Sequence, residues 1–230
     1  MRKQEGKKEY PAPVWWRGFL VIILAAFVLI GALTTILDPF FHYHAPLPGF
    51  FYTLSDQRYQ NDGITRHFSY DAVITGTSMI ENFRTSEFDA LFGTEAIKVP
   101  YPGATLRETG DDLKVAFATH ERIRYVLRGL DYSHLVEEAD LLRTDMGEYP
   151  GYLYDRNPFN DVRYLYNKDA IFSYMLPMAA RRFLGEEGGH TSFDDYGYSG
   201  NAVYATAWAL EGRTSFHISD KRSEERRVGK

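Results

Sequence analysis

From Gly18 to Leu37 the chain runs for 20 residues (GFLVIILAAFVLIGALTTIL) without a charged side chain. At about 1.5 Å per residue, a helix of that length crosses roughly the 30 Å of bilayer hydrocarbon, so the run predicts a single transmembrane helix. A buried core helix would show a polar face, and only Thr34 and Thr35 are polar here. Asp38-Pro39 ends the helix. Trp15 and Trp16 stand where an interfacial belt is expected, and Arg2, Lys3, Lys7, Lys8 and Arg17 precede the run against Glu5 and Glu9. That excess of basic residues predicts a cytoplasmic N-terminus. A cleaved signal peptide carries a shorter apolar core, about 7–15 residues, and a small-residue cleavage site. Neither is evident, and the expectation is an uncleaved anchor: residues 1–17 in the cytoplasm, 18–37 in the bilayer, and all that follows outside.

The remainder is bounded by composition. Hydrophobic residues make up 44% of the chain and charged residues 25%, which excludes global disorder and suits one ordinary domain plus something smaller. The absence of cysteine removes disulfides, thiolate metal sites and thiol nucleophiles. Without the five basic and two acidic residues of the N-terminal tail, totals of 26 basic and 31 acidic leave the outer part strongly acidic. That argues against duplex nucleic acid as a partner, since phosphate neutralisation needs clustered Lys and Arg.

Residues 38–70, rich in proline and aromatics with no sustained period, read as an extended stalk packed on the following domain. Ala72–Thr75 is a short β-branched strand ending at Gly76, followed by a helical stretch that reaches Phe92 and stops at Gly93. Ala96–Val99 is a second strand, closed by Pro100 and the Pro102-Gly103 turn. Leu113, Ala116 and Phe117 mark a helix from Leu106 to about His120, and Ile123–Leu130 is a third strand. This alternation predicts βαβ units and a parallel sheet. After Asp131 the rhythm stops, with a tyrosine-rich connection, a helix over about Lys168–Leu184, a glycine-rich loop, and a helix over Asn201–Leu210.

In open parallel sheets, ligands sit beyond the carboxyl ends of the strands, which singles out Gly76-Thr77-Ser78, Gly103 and Gly129-Leu130-Asp131. A serine between a strand and a helix can present its hydroxyl near backbone N–H groups that favour developing negative charge. Ser78-Met-Ile-Glu81 is equally a capping-box pattern, in which the hydroxyl only satisfies a helix N–H. Gly-x-Ser recurs at Gly197-Tyr-Ser199 with no strand before it.

The blocks DAVITGTSM, VPYPGAT and YVLRGLD, in that order, resemble the first three blocks of SGNH (GDSL-type) hydrolases. More closely, they resemble the membrane-anchored SGNH-like proteins of bacterial cell envelopes, including those that take part in D-alanine or acetyl transfer to wall polymers. The resemblance covers about Asp71 to Tyr132. It implies a flavodoxin-like three-layer α/β fold over residues 71–221, with a helical insertion from about residue 132. It further implies Ser78 as nucleophile, the Gly103 N–H as oxyanion donor, and no metal or organic cofactor. Two positions depart from the family pattern: Thr77 stands where the serine usually follows Gly-Asp, and Asp131 occupies the place of an asparagine that donates to the oxyanion. An ionised carboxylate cannot donate and would repel an oxyanion, so Asp131 is protonated, differently used, or part of a site without ordinary ester hydrolysis. The family's base is the His of an Asp-x-x-His pair, which occurs here at Asp131-Tyr-Ser-His134, directly after the third strand.

The last nine residues, Arg222–Lys230 (RSEERRVGK), resemble the translation of a short-read sequencing adapter, although a charged, solvated tail is the other reading. The adapter reading implies that the natural chain continues beyond Lys221 and that the usual base lies there. It also leaves the outer edge of the third strand unpaired, because family sheets have about five strands in the order 2-1-3-4-5. Three weaker candidates remain. His42 and His44 could begin a metal site but suit a juxtamembrane surface better, and Asp194, Asp195 and His190 could bind a cation but suit a solvated loop better. Tyr149, Tyr152, Tyr154, Tyr164 and Tyr166 could stack sugars but suit packing better. The expected function is serine-dependent acyl-ester chemistry, hydrolysis or O-acyl transfer, on wall glycan or teichoic-type polymers. The alternative is a non-catalytic module for glycan binding or envelope assembly.

Overall fold

A computed structural model describes residues 12–136, 138, 141–142, 150–155, 157–185 and 193–194. Helix α1 spans Ala12–Leu37, and its Trp15–Leu37 portion of 23 residues is long and apolar enough to cross a membrane. Nearly all of its large apolar side chains as far as Leu29 are exposed.

Past α1 the chain turns sharply. Asp38 and Phe41 both adopt positive φ (41° and 59°), conformations that cost energy outside glycine unless neighbours hold them. The Asp38 carboxylate does so, accepting the N–H groups of His42 (3.0 Å), Tyr43 (2.7 Å) and His44 (2.9 Å) and the Tyr164 hydroxyl (2.6 Å).

The reading of 38–70 as an extended stalk is corrected here. Gln57–His67 is helix α2, and seven of its residues are buried, from Arg58 to Thr65. Its sequence, QRYQNDGITRH, lacks an apolar stripe because it is buried largely through polar side chains. Gln60 takes the Ser55 and Asp56 N–H groups on one atom and donates to Pro39 O and Thr53 O with the other. Gly63 lets α2 approach the turn after α1, since a Cβ there would lie 2.4 Å from both Phe40 O and Phe41 O.

The sheet is parallel, with strand β1 (Ala72–Gly76) in the centre, β2 (Ala96–Pro100) on one side and β3 (Tyr125–Arg128) on the other. Strand alternation splits the core into two faces. Val73, Ile97 and Val99 pack with Ile64 of α2 and Ala116 of α4 (Leu106–Thr119). Ala72, Ile74 and Ala96 pack with Ile80 and with Phe88 of α3 (Thr85–Phe92). Helices therefore cover both faces. Gly93 ends α3 in the left-handed conformation, as the sequence predicts. Among the described residues β3 has no partner on its outer edge, where Tyr125 and Val126 are more than one-third exposed.

Later elements are short: α5 (Ser133–Val136), α6 (Gly151–Tyr154) and α7 (Val162–Leu165), then a π-helical segment Ala170–Met175 leading into α8 (Leu176–Leu184). The last two fall within the predicted 168–184 helix. Tyr164, Leu153, Phe40 and Ala170 form a second core with Tyr152, Tyr154 and Tyr174 around it, so these tyrosines pack. Tyr149, the Asn201–Leu210 helix and the 222–230 tail lie outside the described residues.

Candidate functional site

The three strand ends converge on one rim. Tyr101 N–H, just beyond β2, donates to Gly76 O at 2.9 Å, and Gly129 N–H, beyond β3, donates to Thr75 O at 2.8 Å. Gly76 (φ 152°) makes this possible, since a Cβ there would meet Ile80 at 2.9 Å and Gly129 O at 3.0 Å. Ser78 opens a five-residue 3-10 turn, Ser78–Asn82, in place of the longer helix that the sequence suggests. The capping-box reading of Ser78–Glu81 is corrected. The cap is Thr77, whose hydroxyl accepts Met79 N–H, and the capping box of this region is Thr105 with Glu108 at the start of α4. Ser78 itself is exposed, and its hydroxyl makes no hydrogen bond among the described residues.

Gly103 is half-buried at φ 62° in a turn closed by Ala104 N–H on Tyr101 O. The loop is held from below. Arg58 of α2 donates to Pro102 O at 3.1 Å and lies 3.4 Å from Glu108, whose carboxylate accepts Thr105 N–H. Asn61 donates to Pro100 O at 2.7 Å. The N–H groups of Ser78 and Gly103 have no acceptor among the described residues.

Asp131 and His134 are joined to this rim differently from a base pair. The Asp131 carboxylate accepts the Thr77 hydroxyl, while its backbone N–H, and not its carboxylate, meets His134 Nδ1 at 3.1 Å. His134 Nε2 lies 2.8 Å from Ala104 O, and the residue is only 5% exposed. The consistent tautomer accepts at Nδ1 and donates from Nε2, which occupies both ring nitrogens with backbone groups. Arranged this way, His134 is a positioning residue: it ties the loop after β3 to the loop after β2, as Thr77 ties it to the end of β1. The candidate base role of His134 is therefore not supported by its geometry.

One residue was missed as a titratable group. Glu81 follows Ser78 by three positions, the spacing that stacks side chains in a 3-10 turn. It is buried, accepts from Gln57 Nε2 at 3.1 Å, and burial raises its carboxyl to about 7 despite the opposing Lys98 ammonium. Lys98, fully buried, donates to the carbonyls of Glu81, Phe83 and Asp194. In the sequence Glu81 reads only as a cap partner, because nothing there signals burial beneath the rim.

The remaining candidates have structural partners. Asp194 accepts Thr85 and Ser86 hydroxyls and Ser86 N–H at the start of α3, while Asp195 and His190 lie outside the described residues. His42 pairs with Asp161 at 3.3 Å, and His44 contacts Thr35 O and Ile36 O at the end of α1. No group of three or more metal-ligating side chains occurs among the described residues. Compared with protein-family models, curated proteins and solved structures, the chain matches none.

Proposed function

We propose that α1 anchors this chain in a membrane and that the domain beyond it is an extracytoplasmic SGNH-like unit performing serine-dependent acyl-ester chemistry on envelope polymers. The order β2-β1-β3 with helices on both faces agrees with the first half of a flavodoxin-like sheet. The observation that carries the reading is Ser78: exposed just past the carboxyl end of the central strand and relieved of capping by Thr77, on a rim where its own N–H and that of Gly103 have no acceptor among the described residues.

In this reading the Ser78 oxygen attacks an acyl carbonyl carbon and passes its proton to a base outside the described residues. The carbonyl electrons move onto oxygen, where the N–H groups of Ser78 and Gly103 receive the charge. Collapse expels the alcohol and leaves an acyl-serine, which water or a polymer hydroxyl then resolves. The second reading, a non-catalytic module for glycan binding or assembly, is favoured by Asp131, whose carboxylate bonds Thr77 instead of offering a donor.

Turnover of a small acetyl ester by the full-length gene product in detergent micelles tests the choice. The enzymatic reading expects loss of at least about 100-fold in Ser78→Ala, in line with removal of a nucleophile. It also expects a gain in Asp131→Asn, which restores an amide donor. Turnover unchanged by Ser78→Ala would contradict it.

A further inference from the structure

The helices after residue 160 lie against α1 well within its apolar span. The Tyr166 hydroxyl donates to Phe27 O at 3.1 Å, its ring packs on Phe27 with centroids 5.2 Å apart, and Gly31 leaves room for it. Higher up, Thr34 donates to Leu165 O at 3.0 Å, and beside the end of α1 the Tyr43 hydroxyl donates to Asp161. This segment thus runs antiparallel to α1. Phe27 lies ten residues before Leu37, about 15 Å along a helix. Whatever surrounds that part of α1 also surrounds α7 and the π-helical segment.

The exposed face of these helices suits such surroundings, with Phe183 also edge-on to Phe50 at 6.2 Å between centroids. Phe172, Leu176 and Phe183 recur at helical spacing and are 67%, 49% and 73% exposed, and Leu184 adjoins them. The segment carries Arg163, Lys168, Arg181 and Arg182 against the single acid Asp169; Arg181 donates to Phe51 O and Thr53 Oγ1, Arg182 lies over the Phe50 ring and Arg163 over that of Tyr152, so these three cations are held at the side facing the domain. At the tip of the hairpin, Asn167 Oδ1 accepts the N–H groups of both Asp169 and Ala170, so these backbone donors are met internally.

We infer that residues 162–184 form a second membrane contact, a helical hairpin seated in the outer leaflet beside α1 with Phe172, Leu176 and Phe183 facing lipid. The inference rests on the reading of α1 as an anchor. It seats the domain directly against the bilayer surface through residues 162–184.

The chain has no cysteine, so single-cysteine variants can carry a spin label without background. The full chain is reconstituted in vesicles of phosphatidylcholine and phosphatidylglycerol, labelled separately at Phe172→Cys, Leu176→Cys and Phe183→Cys. References are Leu24→Cys in α1 and Lys114→Cys, whose side chain is 80% exposed on α4. Collision rates with oxygen and with a water-soluble nickel chelate are compared. The inference expects the three hairpin labels to match Leu24, with nickel access several-fold below that at Lys114. Hairpin labels as open to nickel as Lys114, with Leu24 protected, overturn the hairpin and leave the anchor standing. Nickel access at Leu24 equal to that at Lys114 overturns both.

Discussion

Asp38 and Asp131 are both aspartates in turns, one at the foot of the domain and one at its rim. Asp38 is fully buried, and its carboxylate accepts four hydrogen bonds from three consecutive N–H groups and the Tyr164 hydroxyl. Asp131 is half-buried and accepts one, from Thr77, among the described residues. The foot is saturated: Thr34, His44, Tyr52 and Tyr164 each have a backbone or carboxylate partner there. The rim keeps an exposed hydroxyl and two N–H groups without partners among the described residues. Polar residues at the foot therefore belong to stability, as Thr77 and His134 do at the rim, whereas the Ser78 hydroxyl is left available to a ligand.

The largest effect should come from the foot. Asp38→Ala leaves three backbone donors and a buried hydroxyl without their acceptor in a turn with two positive-φ residues, and loss of about 3–5 kcal/mol is expected. Unfolding of the full chain in detergent micelles measures it, and a loss below about 1 kcal/mol would break the contrast.

Asp112 tests burial without saturation. It is fully buried and accepts Thr65 at 2.8 Å on one oxygen, while the other has no hydrogen bond among the described residues; burial raises its carboxyl to about 7. A raised folded value means that the fold holds a proton the unfolded chain releases, so stability falls as pH rises from about 4 to about 7. Asp112→Asn should remove the Asp112 share of that slope, leaving the share of Glu81, whose carboxyl burial also raises to about 7, and stabilise by about 2–4 kcal/mol above pH 7. Parallel pH curves for the two proteins would show that Asp112 is not held in this way. The smallest effect belongs to the rim: Ser78→Ala should change stability by less than about 0.5 kcal/mol, and a larger loss in the same unfolding experiment would assign the hydroxyl a structural partner.

How much of this was legible in the sequence follows from how each part is held together. The three strands, the Gly93 stop of α3, and α4 were readable within a few residues, because β-branched runs and apolar periodicity reflect burial against a sheet; the start of α3 was not, since Ser78–Asn82 is a separate 3-10 turn. Helix α2 was not, because Gln60, Asn61 and Thr65 are buried through hydrogen bonds to distant backbone and to Asp112, and such partners leave no local pattern. The rim was half legible. Strand ends located Ser78, Gly103 and Asp131, but the cap passed to Thr77, and His134 gave both ring nitrogens to the backbone. Those outcomes depend on how loops meet across the sheet, which residue spacing alone does not encode.

Reaction of the full-length gene product with a fluorophosphonate probe, followed by peptide mass mapping, bears most directly on the central claim. A nucleophilic Ser78 displaces fluoride and carries the phosphonyl group in near one-to-one yield, and Ser78→Ala abolishes the adduct. An unmodified Ser78, or an adduct equally abundant in Ser78→Ala, would contradict the account and leave an α/β body with a long apolar helix but without serine chemistry.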